Sequence, residues 1–238
     1  MPRRIHVPKL QPGEIVLTGE QAHHARKVLR LDDGAAVEIF DDAGQVAAGV
    51  LLHRGTSDAA VRIESTISEP RRRFSLTIAA AIPKGERADW MVEKLSELGV
   101  GTFIPLAAAR SVVLPRGRNK QERWERIALE SAKQSRRSGT MRIAPLTPLA
   151  AALAAMAGAG WVLSTADDAQ PIAQLARSPL SSVTAFIGPE GGWTDDELAA
   201  FSRAGVTPAR LTDTILRVET AAIAAAATVQ ILMSGEGR

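Results

Sequence analysis

The chain has 238 residues, of which 45% are hydrophobic and 23% charged, a balance typical of a globular protein with one large or two small domains. It contains no cysteine and only four histidines, which excludes disulfides, iron–sulfur clusters and a cysteine nucleophile, and we expect no bound metal. The formal net charge is +3, and without a signal peptide or an apolar run of membrane-spanning length we expect a cytoplasmic protein.

The first 70 residues are predicted to form a small β-barrel. Glycine and aspartate turns recur between short strands with partial alternation, at 36–40, 46–53 and 59–63. One helix at 19–29 interrupts the strands, with Thr18 as its N-cap. The stretch 69–73, EPRRR, is charged and broken by proline, which is typical of a linker.

From residue 74 onward the pattern predicts an α/β domain with a parallel sheet. Apolar strands at 74–82, 102–106, 161–164 and 183–187, and a last one starting at 210–211, alternate with helices at 87–98, 120–137, 149–158, 172–176, 195–204 and 220–233. Thr194 is the predicted N-cap of the helix at 195–204. The amphipathic helix at 87–98 is expected to turn Trp90, Met91, Leu95 and Leu98 toward the core.

Positive charge is concentrated in the middle of the chain. Residues 1–73 carry 11 basic and 10 acidic residues, residues 74–148 carry 13 and 7, and residues 149–238 carry 5 and 9. Between Arg110 and Arg142 there are ten Lys and Arg against three Glu. Such a segment is typical of a nucleic-acid-binding surface, or of a solvated helix with its own ion pairs, and charge alone does not separate the two.

Two motifs in the last third of the chain are candidate functional segments. The stretch 187–192, IGPEGG, follows a strand and precedes a capped helix, so its backbone could approach a ligand at the carboxyl end of a parallel strand. It lacks the dinucleotide and P-loop patterns, and a tight turn is the alternative. The stretch 211–222 places Arg217 and Glu219 in apolar surroundings, as functional groups or as a surface ion pair at a helix start.

Three other segments carry polar groups beside predicted elements. Lys84 and Arg87 follow a strand, where they could bind phosphate or ribose or simply begin a helix. The segment 130–137, ESAKQSRR, belongs to the basic helix. His23 and His24 would point about 100° apart on a helix, so they cannot share one metal, and a structural or RNA-backbone role is favoured.

Together these segments resemble the RsmE family of ribosomal RNA methyltransferases, part of the SPOUT superfamily, over nearly the whole chain. HHARKVLR at 23–30 is similar to its N-terminal signature, residues 84–100 to its KG…KxxELGV segment, and residues 130–137 to its ExxxQSGR helix. IGPEGGWTDDE at 187–197 and ILRVETA at 215–221 are similar to its most specific motifs. Five motifs in the same order argue against coincidence.

The resemblance implies an α/β protein with two domains: a PUA-like RNA-binding β-barrel at 1–70 and a SPOUT methyltransferase domain at 74–238, with a parallel sheet and a deep trefoil knot. It implies a cytoplasmic homodimer without membrane contact that acts in ribosome biogenesis. The substrate would be a uridine in 16S ribosomal RNA, either free or inside the assembled small subunit, methylated at N3 with S-adenosylmethionine. The residues implied to bind the cofactor lie in three loops: Leu163, Ser164, Thr165, Ile187, Gly188, Pro189, Gly191, Gly192, Leu211, Thr212, Ile215 and Leu216.

Catalysis is assigned by chemistry to residues near these loops. Uridine N3 is a weakly acidic imide, so a cation such as Arg217 would stabilise its anion through the uracil oxygens. Glu190 or Glu219 could accept the proton or position Arg217, and Arg217 is the favoured contributor. RNA contacts, chiefly to phosphates, are expected from the following residues: Arg4, His24, Arg26, Arg30, Lys84, Arg87, Arg110, Gln134, Arg136 and Arg137.

The sequence departs from the family pattern at three positions. Thr212 and Thr214 stand where the family usually has glycine and a first arginine, so the cofactor loop is expected to differ locally. Arg136 stands where QSGR has glycine, which adds charge to the expected RNA surface.

Two other functions compete with this one. A SPOUT methyltransferase acting on tRNA would keep the C-terminal motifs, but the HHxxxVLR segment argues against it. A non-catalytic RNA-binding protein would explain the basic segment but leave the two C-terminal motifs without a role. The lack of cysteine excludes methylation of pyrimidine C5 through a thiol adduct and radical methylation, and it agrees with direct attack by nitrogen or oxygen.

Overall fold

The computed structural model describes residues 2–55, 58–68, 74–114, 118–177 and 180–234, without the side chains of 65–68 and 234. The chain divides into two compact units. One contains Met1–Arg71 with Ala132–Thr140, and the other contains Arg72–Ser131 with Met141–Arg238. The predicted linker at 69–73 lies outside the described residues.

The first unit is built on one five-stranded sheet. Its elements are β1 (Arg3–His6), β2 (Glu14–Leu17), α1 (Gly19–His23), a π-helical turn (His24–Val28), β3 (Ala36–Phe40), β4 (Gln45–Arg54) and β5 (Asp58–Ser68). The strand order is β1-β3-β4-β5-β2, and β1 and β3 are parallel while the other neighbours are antiparallel. Alternate residues such as Val37, Ile39, Leu51 and Val61 form its core.

The helix of this unit is shorter than the sequence predicted. Thr18 is the N-cap, as expected, and its N–H donates to the side chain of Gln21 at 2.9 Å. However, α1 has only five residues, and the chain continues into a π-helical turn rather than an α-helix to residue 29. Arg30 ends this segment with a left-handed φ of 50°.

The segment Ala132–Thr140 packs within the first unit although it lies far away in sequence. The Thr140 hydroxyl donates to Asp42 Oδ1 at 2.8 Å, and Arg4 Nη1 donates to the carbonyl of Arg137 at 3.1 Å. A Cβ on Gly139 would lie 3.2 Å from the carbonyl oxygen of Asp42, so a glycine permits this close approach.

The second unit is built on an eight-stranded sheet in which every pairing is parallel. Its elements are β6 (Ser75–Ala80), α2 (Arg87–Glu97), β7 (Thr102–Ala107), α3 (Arg118–Ser135), β8 (Arg142–Ile143), β9 (Thr147–Pro148), α4 (Leu149–Ala154), β10 (Ala159–Leu163), β11 (Gln170–Pro171), α5 (Ile172–Leu175), β12 (Ser182–Ile187), α6 (Asp195–Arg203), β13 (Thr207–Arg210) and α7 (Val218–Ser234). The order is β11-β13-β10-β12-β6-β7-β8, and β9 pairs with β7.

The sheet of the second unit is buried on both faces. In β12, Val183 and Ala185 belong to one apolar cluster and Phe186 to the other. In β6, Ile78 and Ala79 are divided in the same way. Burial on both sides explains why these strands are continuous apolar runs in the sequence. No helix in the described ranges is long and apolar enough to cross a membrane.

Some predicted details of this unit are wrong. Trp90 is 48% exposed, whereas Met91 and Leu95 are buried, because residue 90 lies about 100° around the helix from residue 91. The helix α4 ends at Ala154 rather than at 158, and β13 ends rather than begins at Arg210. In the strand TPAR only Ala209 is buried, so the apolar pattern that would mark it is weak.

Candidate functional site

A cavity lies where the carboxyl ends of β10 and β12 meet. Since β10 pairs in parallel with both β12 and β13, the loops that follow these three strands emerge at the same edge of the sheet. The cavity encloses about 330 Å³, which lies in the range of small-molecule sites, roughly 300–1,000 Å³.

The structure brings together eleven of the twelve residues predicted to bind a cofactor. Gly191 is the exception and does not line the cavity. Five further residues line it that were not in the predicted set: Glu190, Trp193, Thr214, Val218 and Ala221. The three loops thus form one site, and binding by them stays a prediction.

The loop at 187–192, called the glycine loop below, forms one wall of the cavity together with Trp193. A Cβ on Gly188 would lie 2.9 Å from the indole of Trp193, so the ring packs directly on the glycine backbone. The N–H of Gly192 donates to the carbonyl of Pro189 at 2.8 Å, and Gly192 has a φ of +71°, a conformation that favours glycine. The wall is therefore a tight turn covered by an aromatic ring.

The indole of Trp193 is itself held by other aromatic rings. It packs edge-on against Phe201 with centroids 4.8 Å apart, and Phe201 packs against Phe186 of β12 at 5.1 Å. Trp193 is not among the site residues predicted from the sequence. Its position directly after the glycine motif is the signal that could have identified it.

Hydroxyl groups close the other two loops. The Thr212 hydroxyl donates to the carbonyl of Thr214 at 2.9 Å, so the two threonines that depart from the family pattern bridge their own loop. Ser164 Oγ accepts from the N–H of Ala166 at 3.1 Å. Both loops owe part of their shape to side chains bonded to the local backbone.

The three candidate catalytic residues occupy different positions. Glu190 is exposed and lines the cavity. Arg217 is exposed at the start of α7 and is not part of the lining, although Leu216 and Val218 on either side are. Glu219 is 6% exposed and does not line the cavity.

Glu219 is a buried carboxylate with an incomplete set of partners. Its Oε1 lies 3.7 Å from Nη1 of Arg87 on α2. Its Oε2 is buried and has no hydrogen-bond partner within the ranges that the structure describes. The first turn of α7 favours its negative charge through the helix dipole.

Some of the predicted RNA contacts have exposed side chains, and others are bonded to groups of the protein itself. Arg30, Gln134, Arg136 and Lys84 are exposed. His24 and Arg137 are partly buried. The charge-based prediction for these residues stays open.

Two of the predicted RNA contacts have a clear role inside the first unit. Arg4 is 9% exposed, its Nε lies 2.5 Å from Glu38, and its guanidinium lies 4.4 Å from the ring centroid of Phe40. Arg26 Nη2 donates to the carbonyls of Gly55 and Asp58 at 3.0 and 2.5 Å. These contacts argue for a structural role of both arginines.

Two arginines of the second unit are also bonded within it. Arg87 faces Glu219, as described above. Arg110 Nη1 donates to the carbonyls of Gly191 and Trp193, at 2.9 and 3.3 Å, so its guanidinium contacts the glycine loop.

Comparison with known proteins covers both parts of the sequence. Residues 70–230 match the family model of an RNA methyltransferase domain, and residues 17–64 match that of an RNA methyltransferase PUA domain. The predicted fold class, a PUA-like domain followed by a parallel-sheet α/β domain, is confirmed.

Related proteins resemble the chain over most of its length. The ribosomal RNA small subunit methyltransferase E of Mycobacterium tuberculosis is 32% identical over 230 residues, which cover 92% of this chain and 87% of the relative. The protein of the same name from Bacillus subtilis is 29% identical, with 90% and 88% covered. A crystal structure of the Neisseria gonorrhoeae protein of that name, bound to S-adenosylmethionine, gives a TM-score of 0.87 at 27% identity and covers 98% of both chains.

Proposed function

Since the chain belongs to the ribosomal RNA small subunit methyltransferase E family, we propose that it transfers the methyl group of S-adenosylmethionine to N3 of a uridine in 16S ribosomal RNA. The observation that carries this proposal is the single cavity formed by the three loops after β10, β12 and β13. The motifs that resemble the family most specifically contribute two of those loops.

The chemistry of the cavity fits S-adenosylmethionine. Its walls are mostly aliphatic side chains and glycine backbone with one indole, and Ser164, Thr165, Thr212 and Thr214 add hydroxyl groups to the lining. Such walls suit a planar adenine, while backbone amides and carbonyls supply its hydrogen bonds. Among the lining residues Glu190 is the only charged one, so the site presents no cation that would repel a sulfonium.

The bound cofactor supplies an electrophilic methyl group for in-line displacement. The chain's own contribution is alignment of the uracil and stabilisation of its N3 anion. Arg217 stands between two lining residues, where its guanidinium would offset charge on the uracil oxygens. Glu190 lines the cavity and would accept the N3 proton. Glu219 is buried in the first turn of α7, 3.7 Å from Arg87, and would position Arg217.

The domain arrangement that we propose follows the same family relationship. Residues 1–70 form the RNA-binding PUA-like domain, and residues 74–238 form the methyltransferase domain with the trefoil knot of the SPOUT superfamily. The active protein is a homodimer, and its substrate is the RNA of the small ribosomal subunit. The PUA family match at residues 17–64 supports the first assignment.

One experiment tests the substrate and the position of methylation together. Wild-type protein is incubated with labelled S-adenosylmethionine and either small ribosomal subunits, naked 16S RNA or tRNA, and the product is mapped by mass spectrometry. We expect N3-methyluridine in 16S RNA. Methylated tRNA would support the alternative substrate, and cofactor-independent RNA binding without methylation would support a non-catalytic RNA-binding protein.

The role of Arg217 is tested by its replacement. We expect Arg217→Ala to lower the methylation rate about a hundredfold or more, because an electrostatic contact to developing charge is lost. Cofactor affinity, measured by calorimetry, should change little because Arg217 does not line the cavity. Equal losses of rate and cofactor affinity, or no loss, would contradict this role.

A further inference from the structure

Arg110 holds the outer side of the glycine loop. It lies in the loop that follows β7, and its Nη1 donates to two carbonyls, those of Gly191 and Trp193. A charged donor shared by two nearby carbonyls fixes the direction in which both peptide groups point. The neighbours of Gly191 on both sides, Glu190 and Gly192, line the cavity, and so does Trp193, whereas Arg110 and Gly191 do not. The contact therefore supports the wall without being part of it.

The aliphatic part of Arg110 packs against the same backbone. A Cβ on Gly191 would lie 3.1 Å from Arg110 Cβ and 3.4 Å from its Cδ. Gly191 neither lines the cavity nor has a left-handed φ. Its lack of a side chain is therefore explained by the close approach of Arg110.

A second contact, made by the residue before Arg110, joins the loop after β7 to the first turn of α6. The N–H of Ala109 donates to Oε1 of Glu197 at 2.8 Å, and Oε2 of Glu197 accepts from the N–H of Thr194 at 2.8 Å. Ser111 fixes the turn that presents both residues, since its Oγ accepts from the N–H of Ala108 at 3.1 Å. Adjacent residues thus bind both ends of the stretch from Gly191 to Glu197.

We propose that Arg110 is a positioning residue that sets cofactor affinity by ordering the glycine loop, and that it is not an RNA contact. The inference rests on the proposed function. Glycine-rich backbone loses more conformational freedom on ordering than other sequences do. A loop that is already held in the bound shape therefore binds its ligand more tightly.

The test compares four full-length variants: Arg110→Ala, Arg110→Lys, Gly191→Ala and Arg203→Ala. Arg203 is an exposed arginine on α6 and serves as the control. Affinity for S-adenosylmethionine is measured by calorimetry without RNA, affinity for 16S RNA by anisotropy without cofactor, and KM for each substrate by methyl transfer. Thermal unfolding confirms that each variant is folded.

We expect Arg110→Ala to weaken cofactor binding about tenfold, because its exposed guanidinium no longer holds the two carbonyls and the loop must then be ordered on binding. Gly191→Ala should cause a similar loss because its methyl group displaces the arginine. Arg110→Lys should restore part of the affinity, since an ammonium can reach one carbonyl but lacks the rigid guanidinium plane. KM for the cofactor should rise while KM and affinity for RNA stay unchanged, and Arg203→Ala should equal wild type.

Two results overturn the inference while leaving the proposed function intact. One is that the wild-type chain and Arg110→Ala bind the cofactor with equal affinity. The other is a loss of RNA affinity in Arg110→Ala with cofactor affinity unchanged, which would make Arg110 an RNA contact. A wild-type chain that binds no S-adenosylmethionine would instead overturn the proposed function, and the inference with it.

Discussion

Asp89 on α2 binds side chains of the basic helix α3, including two of its cations. Its Oδ1 accepts from Lys120 Nζ at 3.0 Å and from the indole N–H of Trp124 at 2.9 Å, and its Oδ2 lies 2.7 Å from Arg123. Burial by itself would raise the pKa of Asp89, but the bonds from Lys120 and Trp124 and the nearby positive charges outweigh it, so the pKa is lowered. One carboxylate on α2 thus holds three side chains of α3.

Replacing this carboxylate should destabilise the second unit. We expect Asp89→Asn to lower the free energy of unfolding by about 1–2 kcal/mol at pH 7, because charge-assisted hydrogen bonds are lost. A lowered folded-state pKa means that the contribution is complete above the ordinary value of 3.8 and disappears as the pH falls through the folded-state value. The difference between wild type and variant, measured by thermal unfolding, should therefore begin to shrink as the pH falls below about 5 and continue to shrink through the folded-state pKa.

Asp168→Asn is the matched control because Asp168 is exposed. It should leave the unfolding temperature unchanged across the same pH range. A difference between Asp89→Asn and wild type that stays constant down to pH 3 would contradict the electrostatic origin of the effect.

The partners of individual charged side chains could not be predicted from the sequence. Arg4 and Arg110 were expected to contact RNA, yet the groups that face them are Glu38 and the carbonyls of Gly191 and Trp193. The Arg110 contact joins residues 81 positions apart. Such pairs depend on the packing of loops, which composition and local spacing do not determine.

Among the elements, α6 shows how a local signal shapes the site. The Thr194 hydroxyl accepts from the N–H of Glu197 at 3.3 Å, and the Glu197 carboxylate accepts from the N–H of Thr194. This reciprocal pair is a capping box. Glu197 also accepts from the N–H of Ala109, in the loop that carries Arg110. One side chain therefore both caps α6 and binds the loop that contacts the glycine loop.

Removing the cap should therefore affect both stability and binding. We expect Thr194→Ala to lower the free energy of unfolding by about 1 kcal/mol, measured by urea denaturation. It should also weaken cofactor binding severalfold, since Glu197 loses one of the groups that fix it. Thr194→Ser keeps the hydroxyl and should behave as wild type; a Thr194→Ala protein with unchanged stability would show that the cap is dispensable.

Elements with strong patterns were predicted well, and those without them were missed. The strands β6 and β12 are mostly apolar because both faces of the sheet are buried. By contrast, β8, β9 and β11 have two residues each, too few for any periodicity to be visible. The three loops of the cavity were located through family motifs. Trp193, whose only local signal is its position directly after the glycine motif, was missed because its packing against Gly188 is a tertiary contact.

For the whole molecule, the net charge of +3 conceals a strong asymmetry. The middle segment, residues 74–148, carries 13 basic and 7 acidic residues, and residues 149–238 carry 5 and 9. Not all of the middle charge is available to RNA, because Lys120 and Arg123 pair with Asp89 and Arg110 binds carbonyls. Arg118 and Arg126 remain exposed on α3.

RNA affinity should consequently depend on salt, and cofactor affinity should not. We expect the logarithm of RNA affinity to fall linearly with the logarithm of salt concentration, and Arg118→Gln or Arg126→Gln each to reduce that slope by about 0.7–0.9, the effect of one lost phosphate contact. The cavity lining contains one charged residue, so calorimetric cofactor affinity should stay flat. Arg203→Gln, in the acidic C-terminal segment, is the control and should keep the wild-type slope. An RNA affinity that does not change with salt concentration would contradict binding through phosphates. The same slope in all variants would show that the RNA binds a surface other than α3.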